Sequence, residues 1–114
     1  MKQEVMELWV KALRSGKYNK GKGALSYQGS FCCLGVLCEV MKEQGFPLRT
    51  IEEPYKYTKY DNSDETLPIS AMEWSGMSSG NGRCPVGSLS DINDTTETDF
   101  DGLATIIEAH WEKL

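Results

Sequence analysis

The longest uncharged apolar stretch of the chain, residues 31–38 with the sequence FCCLGVLC, is the strongest constraint on its fold. Apolar side chains continue at helical spacing as far as Met41, on more than one side of the helix. A helix that is apolar on most sides has to be buried. The sequence therefore predicts a central helix with Ser30 as its N-cap and an end near residues 44–45. Gly35 inside this helix costs about 1 kcal/mol relative to alanine and indicates the close approach of another backbone or a ligand.

Amphipathic stripes predict two further main helices and one short helix. Residues 5–13 carry apolar side chains at i, i+3, i+4, i+7 and i+8, and Gly16 supplies the C-terminal stop. A second stripe covers residues 100–114. Pro68 at a first turn and Gly76 at a stop predict a short helix between them.

The segments between these helices predict loops and short strands. A strand over residues 24–27 turns at residues 28–29, and residues 52–66 predict an exposed strand followed by an acidic loop. Residues 75–88 are glycine-rich and predict a long loop. A chain of 114 residues fits one domain, residues 1–114. We expect an α+β, mostly helical domain of about three main helices with a minor β-hairpin or short sheet.

Charge and hydropathy narrow the classes of function. No run of about 20 apolar residues exists, so no transmembrane helix is expected, and the N-terminus lacks the apolar core of a signal peptide. The net charge is −5, yet residues 1–23 hold six basic and two acidic residues, whereas residues 91–101 hold five acidic and no basic ones. Duplex nucleic acid requires a broad basic face, so it is disfavoured as a partner. A compact basic patch is sufficient for one small phosphorylated ligand.

Four cysteines and one histidine offer little catalytic chemistry. Cys32, Cys33, Cys38 and Cys84 match neither a secreted disulfide framework nor the spacing of a zinc site, so we expect reduced, mostly buried thiols and no metal. Cys33 as nucleophile with His110 as its base is a candidate catalytic pair, but a cysteine in an apolar helix is more often part of the core. We expect no cofactor.

Two motifs resemble ligand loops only in part. Residues 16–22 satisfy the phosphate-loop pattern GxxxxGK, but a helix precedes them and Gly23 stands where the pattern requires Ser or Thr. The glycine-rich basic turn still suits an anion-binding nest, with a solvated basic loop as the alternative. A calcium loop from Asp91 lacks the central glycine and the final glutamate. The acidic residues 91–101 more simply form a polar turn before the last helix, with Thr98 and Asp101 resembling a capping box.

A binding constellation is easier to assemble than a catalytic one. Lysines of the glycine-rich turn and an arginine of the later loop would meet phosphates, aromatic rings would stack on a base, and an Asn-Asp pair would hydrogen-bond ribose or base edges. The predicted ligand-binding residues are Lys17, Tyr18, Lys20, Lys22, Trp74, Arg83, Asn93 and Asp94.

Distinctive motifs occur at residues 8–18 and 21–23, at residues 31–39 with the sequence Cys-Cys-Leu-Gly-Val-Leu-Cys, and at residues 89–94 and 100–108. In these segments, which span most of the chain, the protein resembles a family of small proteins from tailed phages and prophages. Small non-enzymatic phage proteins of this size are similar in kind to the sponges that sequester nucleotide immune signals of the Thoeris and CBASS defences. The resemblance implies a cytoplasmic location in the infected bacterial host.

Three hypotheses follow. The first is an anti-defence protein, a homodimer or larger, that binds a cyclic oligonucleotide or a cyclic ADP-ribose type of signal without cleaving it. The second is an accessory factor that inhibits a host protein through its acidic surface at residues 91–101. The third is a small enzyme that uses Cys33 or a carboxylate.

Overall fold

The apolar segment around Cys33 forms the most buried helix of the computed structural model, which describes residues 1–114. The five α-helices are α1 (Gln3–Arg14), α2 (Cys33–Glu43), α3 (Ile69–Ser75), α4 (Leu89–Thr95) and α5 (Phe100–His110), and a 3-10 turn, Trp111–Lys113, follows α5. The seven short strands are β1 (Asn19–Lys20), β2 (Ser26–Tyr27), β3 (Ser30–Phe31), β4 (Thr50–Ile51), β5 (Lys59–Tyr60), β6 (Arg83–Cys84) and β7 (Gly87–Ser88). The predicted α+β, mostly helical class is confirmed.

Helix α2 is at the centre of a single hydrophobic core of 25 buried residues. Helices α1, α3 and α4 pack against it, and α5 packs against α1. Trp9 of α1 is fully buried, and its indole Nε1 donates a hydrogen bond of 2.8 Å to the carbonyl oxygen of Cys33. This bond satisfies the indole N–H, which burial would otherwise leave without a partner.

The N-cap of α2 is not the predicted residue, whereas the predicted close approach of another backbone to Gly35 is confirmed. Cys32 is the N-cap, and its sulfur accepts a hydrogen bond from the Gly35 amide at 3.4 Å. The expectation of Ser30 was wrong because Ser30 belongs to strand β3. A Cβ at Gly35 would collide with the Leu25 carbonyl oxygen and lie 2.7 Å from its carbonyl carbon. The backbone of Leu25 is therefore the close neighbour that this glycine admits.

Three small sheets connect the helices. Strand β3 lies between β1 and β2, parallel to β1 and antiparallel to β2, so the predicted hairpin turning at residues 28–29 is confirmed and extended by one strand. Strand β4 pairs antiparallel with β5, and Ile51 lies opposite Lys59. Strands β6 and β7 form a third antiparallel pair within the segment predicted to be a long loop.

The later helices confirm some boundaries and correct others. Gly76 ends α3 in the left-handed conformation, with φ of 76°, as predicted. The polar segment at residues 91–101 does not form one turn, because residues up to Thr95 belong to helix α4. Asp99, rather than Thr98, caps α5, and its Oδ1 accepts a hydrogen bond of 2.8 Å from the Gly102 amide. None of the helices has the length and apolarity needed to cross a membrane.

Candidate functional site

A cleft of about 610 Å³ lies between the β2–β3 hairpin and the segment that joins β4 to β5. Its volume falls within the range of small-molecule sites. Tyrosines, lysines and two acids make up most of its lining: Lys22, Tyr27, Ile51, Glu53, Tyr55, Lys56, Tyr57, Lys59 and Asp64.

Backbone hydrogen bonds hold the two walls of this cleft together. The Leu25 amide donates to the Asp64 carbonyl at 2.7 Å, and the Thr58 amide donates to the Ser26 carbonyl at 2.9 Å. Both bonds join the hairpin segment to the segment that carries the tyrosines. The two segments that line the cleft are thus joined to each other by main-chain hydrogen bonds.

Three tyrosines form the aromatic part of the lining. The rings of Tyr27 and Tyr57 meet edge to face with centroids 5.3 Å apart. Tyr55 is 85% exposed, and its φ of 61° places a bulky residue in the left-handed region. Such a backbone conformation costs about 1–2 kcal/mol in a residue with a side chain and is found preferentially at ligand sites.

The charged groups of the cleft are only partly paired. Lys56 forms an ion pair of 2.8 Å with Glu53, and this hydrogen-bonded contact raises the pKa of the lysine and lowers the pKa of the glutamate. Lys22 and Lys59 have no carboxylate within 4 Å. Two ammonium groups are therefore free to meet an anion beside the aromatic rings.

Lys17 and Tyr18, two of the predicted ligand-binding residues, lie outside this cleft and contact Glu43 instead. The Lys17 ammonium pairs with the Glu43 carboxylate, and the Tyr18 hydroxyl donates to the same carboxylate at 2.8 Å. Burial and the Glu43 carboxylate raise the pKa of Tyr18 to about 12. The Tyr18 ring also packs edge to face on Phe31, so its faces are partly engaged within the fold.

Lys20, Asn93 and Asp94 form a second group, in which Asn93 joins three segments of the chain. Asn93 is fully buried, its Oδ1 accepts from the Cys33 amide at 3.2 Å, and its Nδ2 donates to the Gly21 carbonyl at 2.9 Å and to Asp94 at 2.8 Å. The Lys20 ammonium donates to the Asn93 carbonyl at 2.8 Å. The expectation that Asn93 reads a ligand is corrected, because its amide is already occupied within the core. The Gly21 amide likewise donates to Phe31, which removes one donor from the predicted anion nest.

Trp74 and Arg83 complete the predicted set, and neither lines the cleft that Lys22 lines. Trp74 is half-buried on α3, with its ring centroid 5.7 Å from that of Phe46. Arg83 is exposed on strand β6. Of the eight predicted residues, only Lys22 belongs to the cleft, so the structure does not bring them together in one site.

The acidic segment at residues 91–101 is largely engaged in holding the fold. Asp99 caps α5, Asp94 accepts from Asn93, and the Asp101 carboxylate lies 3.1 Å from Nε of Arg14 on α1. The second hypothesis treated these acids as one free surface. Among these acids, only Asp91 and Glu97 have carboxylates with neither a hydrogen bond nor an ion pair within the chain.

Cys33 is poorly suited to act as a nucleophile. Its side chain is fully buried, and desolvation raises its pKa well above that of a free thiol. Only the thiolate is nucleophilic, so this environment opposes catalysis. The predicted burial of the cysteines is confirmed for Cys32, Cys33 and Cys38, whereas Cys84 is half-buried.

We expect one thiol to react with Ellman's reagent in the native protein and three more only after unfolding. Burial raises the pKa of Cys32 to about 11 and that of Cys38 further, which leaves Cys84 as the accessible thiol. Absorbance at 412 nm with and without guanidinium measures both groups, and Cys84→Ser should remove the fast phase. A second thiol that reacts as fast as Cys84 would contradict the burial described here.

The aromatic residues of the cleft were not identified from sequence, although a signal for them was present. Tyr55 and Tyr57 flank Lys56, and Lys59 follows, so aromatic and basic residues alternate. That alternation is typical of a surface that stacks bases and binds phosphates. The sequence predicts only an exposed strand here, because no local pattern shows that these residues face Lys22.

The chain matches no curated protein and no solved structure. One family model, described as a domain of unknown function, DUF8296, matches residues 1–111. Because this match covers almost the whole chain, the protein belongs to the DUF8296 family.

Proposed function

We propose that this protein binds and sequesters a small nucleotide-derived signal, without cleaving it, in the cleft between Lys22 and the tyrosines. The observation that supports this most strongly is the presence in one cleft of three exposed tyrosines and two unpaired lysines. Aromatic faces bind bases, and ammonium groups bind phosphates. The phage resemblance extends the proposal to an anti-defence role, in which the bound signal no longer reaches its host receptor.

A sponge has to bind its ligand tightly enough to compete with the host receptor, and this requirement fixes the affinity that the site must reach. Submicromolar affinity corresponds to about 8 kcal/mol or more. A stacked base contributes about 1–3 kcal/mol and each charged hydrogen bond about 1.5–3 kcal/mol. One stacked base with contacts to Lys22 and Lys59 reaches the required value only at the top of these ranges. A second protomer that closes over the ligand would supply the remainder, so we propose a homodimer or larger assembly.

The conformation of Tyr55 gives independent support. An aromatic side chain that is 85% exposed gains little from its own fold, and its left-handed backbone opposes folding. Because the nearby tyrosines Tyr27 and Tyr57 contact each other at an edge, a ring face stays open for a planar ligand. A role in stacking accounts for both features of Tyr55.

The test compares cleft variants with a cationic control outside the cleft. Calorimetry of the wild-type chain with cyclic dinucleotides and cyclic ADP-ribose should identify a submicromolar ligand. We expect Lys22→Ala combined with Lys59→Ala, and separately Tyr55→Ala, to weaken its binding at least tenfold. Arg83→Ala should leave the affinity unchanged, because Arg83 is an exposed cation outside the cleft.

Mass spectrometry of the recovered ligand separates sequestration from catalysis. Release of the intact ligand supports the proposal, whereas a chemically altered ligand would favour the enzyme hypothesis. A larger loss of affinity in Arg83→Ala than in the lysine double variant would place the site elsewhere. Absence of binding to every nucleotide in the panel would refute the proposed function.

A further inference from the structure

One acidic residue in the cleft has no partner within the chain. Asp64 lines the cleft, its carboxylate has no hydrogen-bond or ion-pair partner, and its backbone carbonyl accepts a hydrogen bond from the Leu25 amide. The other acid, Glu53, is already paired with Lys56. The unpaired charged groups of the cleft are therefore two ammonium groups and the carboxylate of the half-buried Asp64.

This arrangement restricts the chemistry of the ligand. An ionised carboxylate accepts hydrogen bonds but cannot donate them, and it repels phosphate. A nucleotide whose phosphates lie on Lys22 and Lys59 must therefore present N–H or O–H donors to Asp64. An adenine amine supplies one donor group, and its neighbouring ring nitrogen is an acceptor that a carboxylate repels. Guanine presents N1–H and the N2 amine side by side, as the guanidinium of arginine does when it binds a carboxylate with two parallel bonds.

We infer that the ligand carries a guanine base whose N1–H and N2 amine bind the Asp64 carboxylate. This inference rests on the proposed function. The base stacks on the tyrosine rings of the cleft, and its phosphates meet Lys22 and Lys59. Asp64 thereby determines which base is accepted. The lysines and tyrosines contribute the part of the affinity that does not depend on the base, through contacts to phosphate and through stacking. A site whose acceptor pairs with specific donors rejects an analogue that lacks those donors. Binding such an analogue would desolvate the acceptor and leave it without a partner.

The experiment compares three nucleoside diphosphates that differ only in the base. Calorimetry at about 0.15 M salt, where surface charges are normally screened, should show that the wild-type chain binds GDP at least tenfold more tightly than ADP or xanthosine diphosphate. Asp64→Asn should reverse the order of GDP and xanthosine diphosphate, because the amide donates to the C2 carbonyl of xanthine where aspartate accepted from the N2 amine of guanine. Glu65→Gln, an exposed neighbour outside the lining, should keep the preference for GDP.

The outcomes separate the two proposals. Equal binding of GDP and ADP, or an unchanged base preference in Asp64→Asn with wild-type thermal stability, would overturn the guanine inference and leave nucleotide binding intact. Binding of none of the three diphosphates, with no binding of the cyclic ligands either, would overturn both. The reversal of preference in Asp64→Asn is not expected of a residue with only a structural role.

Discussion

Replacing Gly35 with alanine should destabilise the protein by about 3 kcal/mol, the upper end of the usual cost of overpacking, although alanine is the better helix former. The added methyl group would meet the carbonyl of Leu25, which is main chain and cannot rotate away. That carbonyl also accepts a hydrogen bond of 3.2 Å from the Cys32 amide at the start of α2. The clash therefore forces the hairpin and the central helix apart, and its cost exceeds the gain of about 1 kcal/mol in helix propensity.

Chemical denaturation followed by circular dichroism measures this effect, and a second helical glycine provides the matched control. A Cβ at Gly102 in α5 meets a side-chain methyl of Thr98 at 2.7 Å, and this methyl can move. We expect Gly102→Ala to change the free energy of unfolding by less than about 1 kcal/mol. Equal effects of the two substitutions would mean that the contact between Gly35 and Leu25 does not limit the packing of α2.

The second large effect is expected for Asn93→Ala, at about 2–4 kcal/mol. The substitution removes one acceptor and one donor group at a fully buried position, and it leaves the Cys33 amide and the Gly21 carbonyl without these partners. A buried polar group without its partner costs about 1–3 kcal/mol. Because Asn93 also fixes Gly21, which precedes Lys22, the loss should loosen one wall of the cleft as well.

Urea denaturation of Asn93→Ala beside Asn19→Ala tests this prediction. Asn19 is exposed on strand β1, so its substitution removes the same chemical group without affecting the core. We expect a shift of less than about 0.5 kcal/mol for the control. Similar stability of the two variants would indicate that water replaces the Asn93 amide.

Apolar periodicity was sufficient to predict the three main helices. Helices α1, α2 and α5 each bury a stripe or a whole surface, and the burial free energy of such faces exceeds the effects of single unfavourable residues such as Gly35. Their caps were harder to locate because several residues near each terminus are able to accept the same amide hydrogen bonds. Cys32 and Asp99 fill these positions where Ser30 and Thr98 were expected.

Helix α4 was missed because its composition favours turns. Its sequence, LSDINDT, is rich in residues whose side chains compete with the backbone for hydrogen bonds. Tertiary contacts override that preference: Leu89 and Asn93 are both fully buried, and the Ser88 side chain caps the helix by accepting from the Asp91 amide. No local pattern contains this information, since Asn93 contacts Cys33 and Gly21, which are distant in sequence.

The site was predicted only in part for the same reason. Local composition marked Lys22, which lines the cleft, but it also marked Lys17 and Lys20, whose ammonium groups have partners within the fold. The cleft forms only when the hairpin meets a segment about 30 residues further along the chain. The two segments are joined by backbone hydrogen bonds, which almost any residue is able to form. The sequence therefore does not reveal that they meet.

The main-chain hydrogen bonds between the two segments that line the cleft affect the thermodynamics of ligand binding. Because the bonds from Leu25 to Asp64 and from Thr58 to Ser26 exist before any ligand arrives, the relative position of the two lining segments is preorganised. Ligand binding then has to order only a few lysine and tyrosine side chains, and fixing each of them costs about 0.5–1.5 kcal/mol in conformational entropy. Association should therefore proceed without coupled folding, with a small entropic penalty and a heat-capacity change that reflects only the surface covered by the ligand.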